Sequence, residues 1–347
     1  MPVTLKKIAE LADVSIGTVD RALHNRGRVS PEVVKRVQEI AAFLNYKPNS
    51  VAKSLALRSR KLKIALILHI DHNTFYDTIL EGVAQMAGEI RDYGVSVVIK
   101  RGRDFDAAVQ LQLIDEVLAE GFHALAIVPI NHPDIKKKLT ELHAQKFPVV
   151  FLGAMLEDVP CLGYVGCDYA SAGEITAGLI NLITGGTGKL LIFAPTFRML
   201  GNQQRTLALE ARLKKCYGGI KIQKIIEMSG DDIYSYNETK NAFAQYPDTD
   251  TLICPGAISG RGTVQALKDM GLYQKVKVVV YDYSDAVQEG LEDKGILAAI
   301  TQNPQQQGYR AIKILFEYIT VDTVPCDCSY VQTQIVLRES IREIENV

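Results

Sequence analysis

The sequence is poor in the features that mark an enzyme, a metalloprotein or a membrane protein. Its six cysteines, Cys161, Cys167, Cys216, Cys254, Cys326 and Cys328, show no metal-ligand spacing. Cys326-Asp327-Cys328 is too close for an ordinary zinc knuckle and has no His pair nearby, so the thiols read as buried or incidental ones in a reducing compartment. His69, His72, His123, His132 and His143 share no metal spacing either, and no Ser stands in a G-x-S-x-G turn. Gly185-Gly186-Thr187-Gly188-Lys189-Leu190 resembles a phosphate loop, but Ile183 stands where its first Gly belongs and Leu190 replaces Ser or Thr. Gly260-Arg261-Gly262 has Gln265 in place of a third Gly and is no dinucleotide fingerprint. No catalytic constellation, cofactor site or metal site emerges, and the chain is expected not to be an enzyme.

Long apolar runs are also missing. None approaches the length of a membrane span, and the N-terminus opens on a helix cap rather than a charged and then apolar signal sequence. A cytoplasmic protein with no membrane partner is expected. There is no repeat of solenoid period and no low-complexity segment.

Net charge is nearly absent as well, −1 over 347 residues, but its distribution is uneven. Residues 1–63 hold thirteen Lys and Arg against five Asp and Glu, a net of +8, and the rest of the chain carries −9. A basic head on an acidic body is the electrostatic footprint of a protein that presents one end to phosphate.

That head is built from short amphipathic helices. Thr4 can cap a first helix with Leu5, Ile8, Ala9 and Ala12 on its apolar face. Ser15 can cap a second helix, whose Val19, Ala22 and Leu23 recur at i, i+3 and i+4. Only Asp13-Val14 separates the two, which makes a tight helix-turn-helix. A third helix opens at Ser30-Pro31-Glu32 and buries Val34, Val37, Ile40, Ala41 and Leu44. Three short helices around one small core leave the second helix free to read DNA.

Residues 3–56, VTLKKIAELADVSIGTVDRALHNRGRVSPEVVKRVQEIAAFLNYKPNSVAKSLA, resemble the head of a lactose/galactose repressor (LacI/GalR) family regulator. The likeness runs without a gap through TL..IA..A.VS..TV.R.L, then VS, then the NY.PN..A..L ending. It implies operator double-stranded DNA as a partner. Ile16 and Gly17 occupy the positions that most often choose the operator; Gly17 has no side chain to offer, and Ile16 can only touch a thymine methyl. Arg21 matches an Arg able to grip a guanine, and Asp20 stands where the family usually has Ser. Thr4, Ser15, Thr18, Asn25 and Val29 lie where phosphate or backbone contacts are expected. Asn49, Ser50 and Ala52 fall in the short hinge helix of the family, capped by Asn49 and running Ser50 to Ala56. Leu55 falls at the wedge position, where an apolar side chain enters a base step. A helix this short is marginal alone and is expected to order only against DNA or a partner subunit.

From Leu62 onward the pattern changes to short β-branched runs alternating with amphipathic segments. The runs are 64–70, 95–100, 124–128, 148–152, 189–194, 220–226, 251–255, 276–282 and 297–302. Such runs read as strands buried on both faces of a mostly parallel sheet covered by helices. With the family resemblance, the fold class is an all-α helix-turn-helix head plus an α/β core. That core has two doubly wound parallel-sheet lobes of the type I periplasmic-binding-protein fold. The expected domains are residues 1–48 (head), 49–61 (hinge helix and linker) and 62–347 (core). Crossings are expected near residues 162, 290 and 323, which puts 62–162 and 291–323 in one lobe and 163–290 and 324–340 in the other.

Ligands of such sheets sit beyond the carboxyl ends of the strands. Asp71, Asn73, Phe75 and Tyr76 follow the first run, and Asn131 follows the third. Arg205, Asp282 and Gln302 match recurrent ligand positions of the family. A carboxylate, a guanidinium, amides and aromatic faces suit a small carbohydrate effector bound between the two lobes and controlling operator affinity, with a purine or another non-sugar metabolite as the alternative. Gly256-Ala257 replaces the family's frequent Asn-Asp and leaves the effector open. The resemblance implies a homodimer, since the C-terminal segment is too short for a tetramer-forming heptad run. A sugar-binding protein and a sugar-acting enzyme remain as other classes.

Overall fold

A computed structural model describes residues 5–23, 27, 29–44, 57–70, 74–228, 231–256, 260–321 and 328–341. The chain divides into two compact units, Met1–Arg60 and Lys61–Val347.

In the first unit, α1 (Leu5–Ala12), α2 (Ile16–Leu23) and α3 (Pro31–Phe43) bury Ile8, Ala9, Ala12, Val19, Ala22, Val37 and Ala41 in one core. The turn between α1 and α2 places Asp13 at φ 50°, and the Val14 amide donates back to Ala9 O at 3.1 Å, which closes the end of α1. Ser30 caps α3 by accepting from the Val33 amide, with Pro31 in the first turn.

The second unit contains two six-stranded sheets. The first is ordered β11-β5-β4-β3-β1-β2, from β1 (Lys63–Leu68), β2 (Ser96–Arg101), β3 (Ala124–Ile127), β4 (Val149–Leu152), β5 (Gly163–Cys167) and β11 (Cys328–Val331). The second is ordered β12-β10-β9-β8-β6-β7, from β6 (Gly188–Pro195), β7 (Ile220–Met228), β8 (Thr251–Pro255), β9 (Lys277–Tyr281), β10 (Ala298–Thr301) and β12 (Gln334–Val336). Among the described residues, every pairing is parallel except β10 with β12. Helices α4 (Thr74–Ile90), α5 (Ala107–Ala119), α6 (Pro133–Ala144), α7 (Tyr169–Thr184), α8 (Leu200–Cys216), α9 (Asp232–Gln245), α10 (Gly260–Asp269), α11 (Asp285–Glu292) and α12 (Pro304–Val321) connect the strands.

All nine expected runs form strands. Seven are central and buried, but β2 and β7 are sheet edges, so Val98 and Ile99 are exposed rather than covered on both faces. The three strands the runs did not announce, β5, β11 and β12, are short; β5 holds two glycines in GYVGC.

The strand pairings, including that of β10, move the crossings. Gly163–Cys167 pairs with β4, so the first crossing follows Cys167 rather than residue 162. Ala298–Thr301 pairs with β9, so the second follows Thr301 rather than residue 290, and α12 returns to pack on α4. Residues 328–331 pair with β5 and residues 334–336 with β10, which puts the third crossing between Val331 and Gln334 rather than near 323. Ladder hydrogen bonds, not composition, decide which sheet a short strand joins.

Candidate functional site

The carboxyl ends of both sheets face one cleft of about 1100 Å³. Of the expected residues, Phe75, Tyr76, Arg205, Asp282 and Gln302 line it. Asn131 does not: the buried Gln110 holds its loop by donating to Val128 O (3.0 Å) and accepting from the Ile130 amide (2.9 Å), and Asn131 is left exposed beyond it, just before the α6 cap. Asp71, Asn73 and Ala257 lie outside the described residues.

Arg205 dominates the inner end. It sits on the second turn of α8, 1% exposed, with its guanidinium carbon 3.8 Å from the centre of the Tyr281 ring and 5.7 Å from that of Tyr169. Its Nη2 donates to Asn202 Oδ1 at 3.1 Å, but Nε and Nη1 are buried without a hydrogen-bond partner among the described residues. Leaving buried donors unsatisfied is costly, and native proteins rarely do so away from a ligand site. Asp282 sits at φ 68° just past β9, where its Oδ1 accepts from Gln302 Nε2 at 2.8 Å. Burial pushes the Asp282 carboxyl above its usual range, opposed by the charge of Arg205 and the amide of Gln302.

Gln302 is itself oriented. The Cys167 thiol donates to its Oε1 at 3.2 Å, and burial pushes that thiol up to about 12, so it stays protonated. A protonated donor on one side and a carboxylate on the other set which way the amide faces.

The opposite wall is aromatic. His69 lies 4.5 Å from Phe105 and 5.2 Å from Tyr76 between ring centres, and the Tyr76 hydroxyl is 3.3 Å from His69 Nδ1. Burial lowers the His69 pKa to about 4, so the ring is neutral near pH 7. Asp104 and Phe105 occupy consecutive left-handed positions, φ 27° and 55°, a strained turn that aims Phe105 into the cleft.

His69, which no metal spacing marks, and Phe105, Tyr169, Thr196, Phe197, Arg198, Asn202, Glu227, Asp231 and Tyr234, which no motif marks, also line the cleft. The carboxyl-end rule would have found His69, Thr196 and Glu227, which end or follow β1, β6 and β7. The departure at Gly256 has a steric reason: a Cβ there would lie 2.8 Å from Asp282 O and 2.9 Å from Tyr281 O.

In the head, Ser15 Oγ accepts from the Thr18 amide at 3.1 Å and lies 2.9 Å from Thr18 Oγ1. Thr18 Oγ1 in turn accepts from Arg21 Nη2 at 3.2 Å. Ile16 and Gly17 are exposed beside this chain, Asp20 is half-buried, and Val29 packs against the head core. Thr4, Asn25, Asn49, Ser50, Ala52 and Leu55 lie outside the described residues.

Residues 64–322 match the periplasmic binding protein domain family, and residues 4–49 match the lacI family of bacterial regulatory proteins. The chain belongs to the LacI/GalR family. This regulator is 29% identical over 319 residues to the ribose operon repressor of Bacillus subtilis, covering 91% of each chain. It is 28% identical over 277 residues to the transcriptional regulator MalR of Streptococcus pneumoniae, covering 76% of this chain and 78% of that one. A D-allose-bound solute-binding protein from Actinobacillus succinogenes shares the fold with a TM-score of 0.74 at 18% identity, over 81% of this chain and 99% of that one. The LacI-type regulator is therefore a DNA-binding transcriptional repressor under effector control and not an enzyme. Among the described residues, no helix is long and apolar enough to cross a membrane.

Proposed function

We propose that the effector is a small carbohydrate bound between the two sheets, and that it acts on a homodimeric repressor through residues 49–61. The observation that carries the effector class is Arg205: two buried donor nitrogens, Nε and Nη1, with no partner among the described residues, near the Asp282 carboxyl group in a cleft with one aromatic wall. Paired donors and acceptors suit vicinal hydroxyls, and aromatic faces suit the C–H face of a sugar ring. The ribose operon repressor and the D-allose-bound protein support the same class by their names.

Ile16, Gly17, Asp20 and Arg21 are the proposed base-facing residues, with Thr4, Ser15, Thr18, Asn25 and Val29 on the backbone. Asn49, Ser50, Ala52 and Leu55 belong to the proposed hinge. A short helix needs only a few kcal/mol of bias to order or fray, so a shift in how the core chain enters it is enough to change operator affinity.

The test is a thermal-shift screen of the full chain against sugars, sugar phosphates and purines. Ligand at a hundred times its dissociation constant adds about 2.7 kcal/mol, a visible rise in melting temperature. A sugar shift lost in Asp282→Ala is the expected result. A purine-only response discards the sugar and keeps the regulator.

A further inference from the structure

The cleft is longer than one sugar ring. One of its walls is made by the carboxyl ends of five strands that run in the order β10, β9, β8, β6, β7. Each strand end contributes to the lining, through Gln302, Asp282, Pro255, Thr196 and Glu227 in turn. Four strand spacings of ~4.8 Å span about 19 Å, and a single pyranose ring with its hydroxyls covers about two of them. The volume of about 1100 Å³, at the upper end of the ~300–1,000 Å³ of small-molecule sites, leaves room for it.

The two ends differ in chemistry. Arg205, Asp282 and Gln302 serve the β9–β10 end. At the β6–β7 end, Glu227 Oε1 accepts from Thr196 Oγ1 (2.9 Å) and from the Phe197 amide (3.0 Å). The Arg198 guanidinium lies 5.6 Å over the ring of Phe105, which comes from the opposite wall, and Tyr234 on α9 adds a second ring. This end has its own aromatic surfaces and its own polar rim.

We propose that the β6–β7 end is a second subsite and that the effector is a neutral glycoside of two sugar units. The proposal rests on the carbohydrate reading of the cleft. The first unit occupies the Arg205–Asp282 end; the second packs on Tyr234 and on the Arg198 guanidinium that lies over Phe105, and donates its hydroxyls to Glu227. Asp104, Glu227 and Asp231 outnumber Arg198 there, so a phosphate on the second unit meets like charge and is rejected.

Calorimetric titration of the full chain tests this, with glucose, galactose, ribose and fructose, then maltose, lactose and sucrose, then glucose 6-phosphate and sucrose 6-phosphate. The expected result is a disaccharide bound at least tenfold more tightly than either of its own units, and more tightly than its phosphate. Tyr234→Ala and Arg198→Ala, both at exposed side chains and so of small risk to folding, should each cut that preference severalfold. A monosaccharide bound as tightly as every disaccharide containing it overturns the second subsite, and so does a preference the two variants leave intact. In either case binding lost in Asp282→Ala keeps the carbohydrate reading. No binding by any of these sugars overturns both.

Discussion

Gly173 lies directly against the backbone of Arg205: a Cβ at residue 173 would overlap the Arg205 carbonyl oxygen and come within 2.9 Å of the Leu209 amide nitrogen. The absence of a side chain on α7 is what lets α8 approach closely enough to seat the guanidinium on Tyr281. Gly173→Ala should push α8 outward, at an overpacking cost of about 1–3 kcal/mol. Effector affinity should fall more than tenfold while operator affinity without effector is retained, as read by calorimetry and gel shift on the same preparation. An unchanged effector affinity would mean that Arg205 is not held by this contact.

Cys167 acts on the effector site through Gln302. Cys167→Val keeps a buried apolar side chain, about one methyl group larger, and removes the donor to Gln302 Oε1, so the amide loses the group that sets its direction. Effector affinity should drop severalfold with little change in melting temperature. Cys167→Ser, which keeps a donor, should recover most of the loss.

His69 makes stability depend on pH. Its folded pKa, about 4, lies below the unfolded value near 6.5, so the folded state resists protonation. The associated stability is fully present above pH 6.5 and is lost as pH falls toward 4, to a limit of about 3 kcal/mol. The melting temperature should fall between pH 7 and pH 5, and by less in His69→Gln. Equal slopes for the two proteins would remove His69 as the cause.

Gly17 is open. Among the described residues, a Cβ there would meet only Arg21 Nη1 and Ser15 Oγ, each at 3.8 Å, which is ordinary contact. Gly17→Ala should stabilise the head by about 0.5–1 kcal/mol through helix propensity. Gly17→Gln should alter base preference at one operator position in a randomised-site selection, by about 1–3 kcal/mol. An unchanged preference would place residue 17 away from the bases.

Much of this protein was legible along the chain because the signals are local. Ser15, Ser30 and the spacing of Ile8, Val19 and Val37 follow from capping and helical period, which act within a few residues. The nine apolar runs announced nine strands for the same reason. Arg205, Asp282 and Gln302 could be singled out because each stands at or just past the carboxyl end of a strand, or on the helix that follows one.

The tertiary structure decided the rest. GYVGC and CSYV carry no run that marks them as strands; they are strands because β4 and β5 offer unpaired edges, and this moved the lobe crossings. Nothing near Arg205 in sequence says that Tyr281, far along the chain, lies under its guanidinium, or that Gly173 makes room for it. Phe105 reaches the cleft through a left-handed turn no periodicity predicts, and Asn131 misses it because Gln110 ties down the intervening loop. Composition and period act over a few residues, whereas a cleft is set by which distant strand ends the ladders bring side by side.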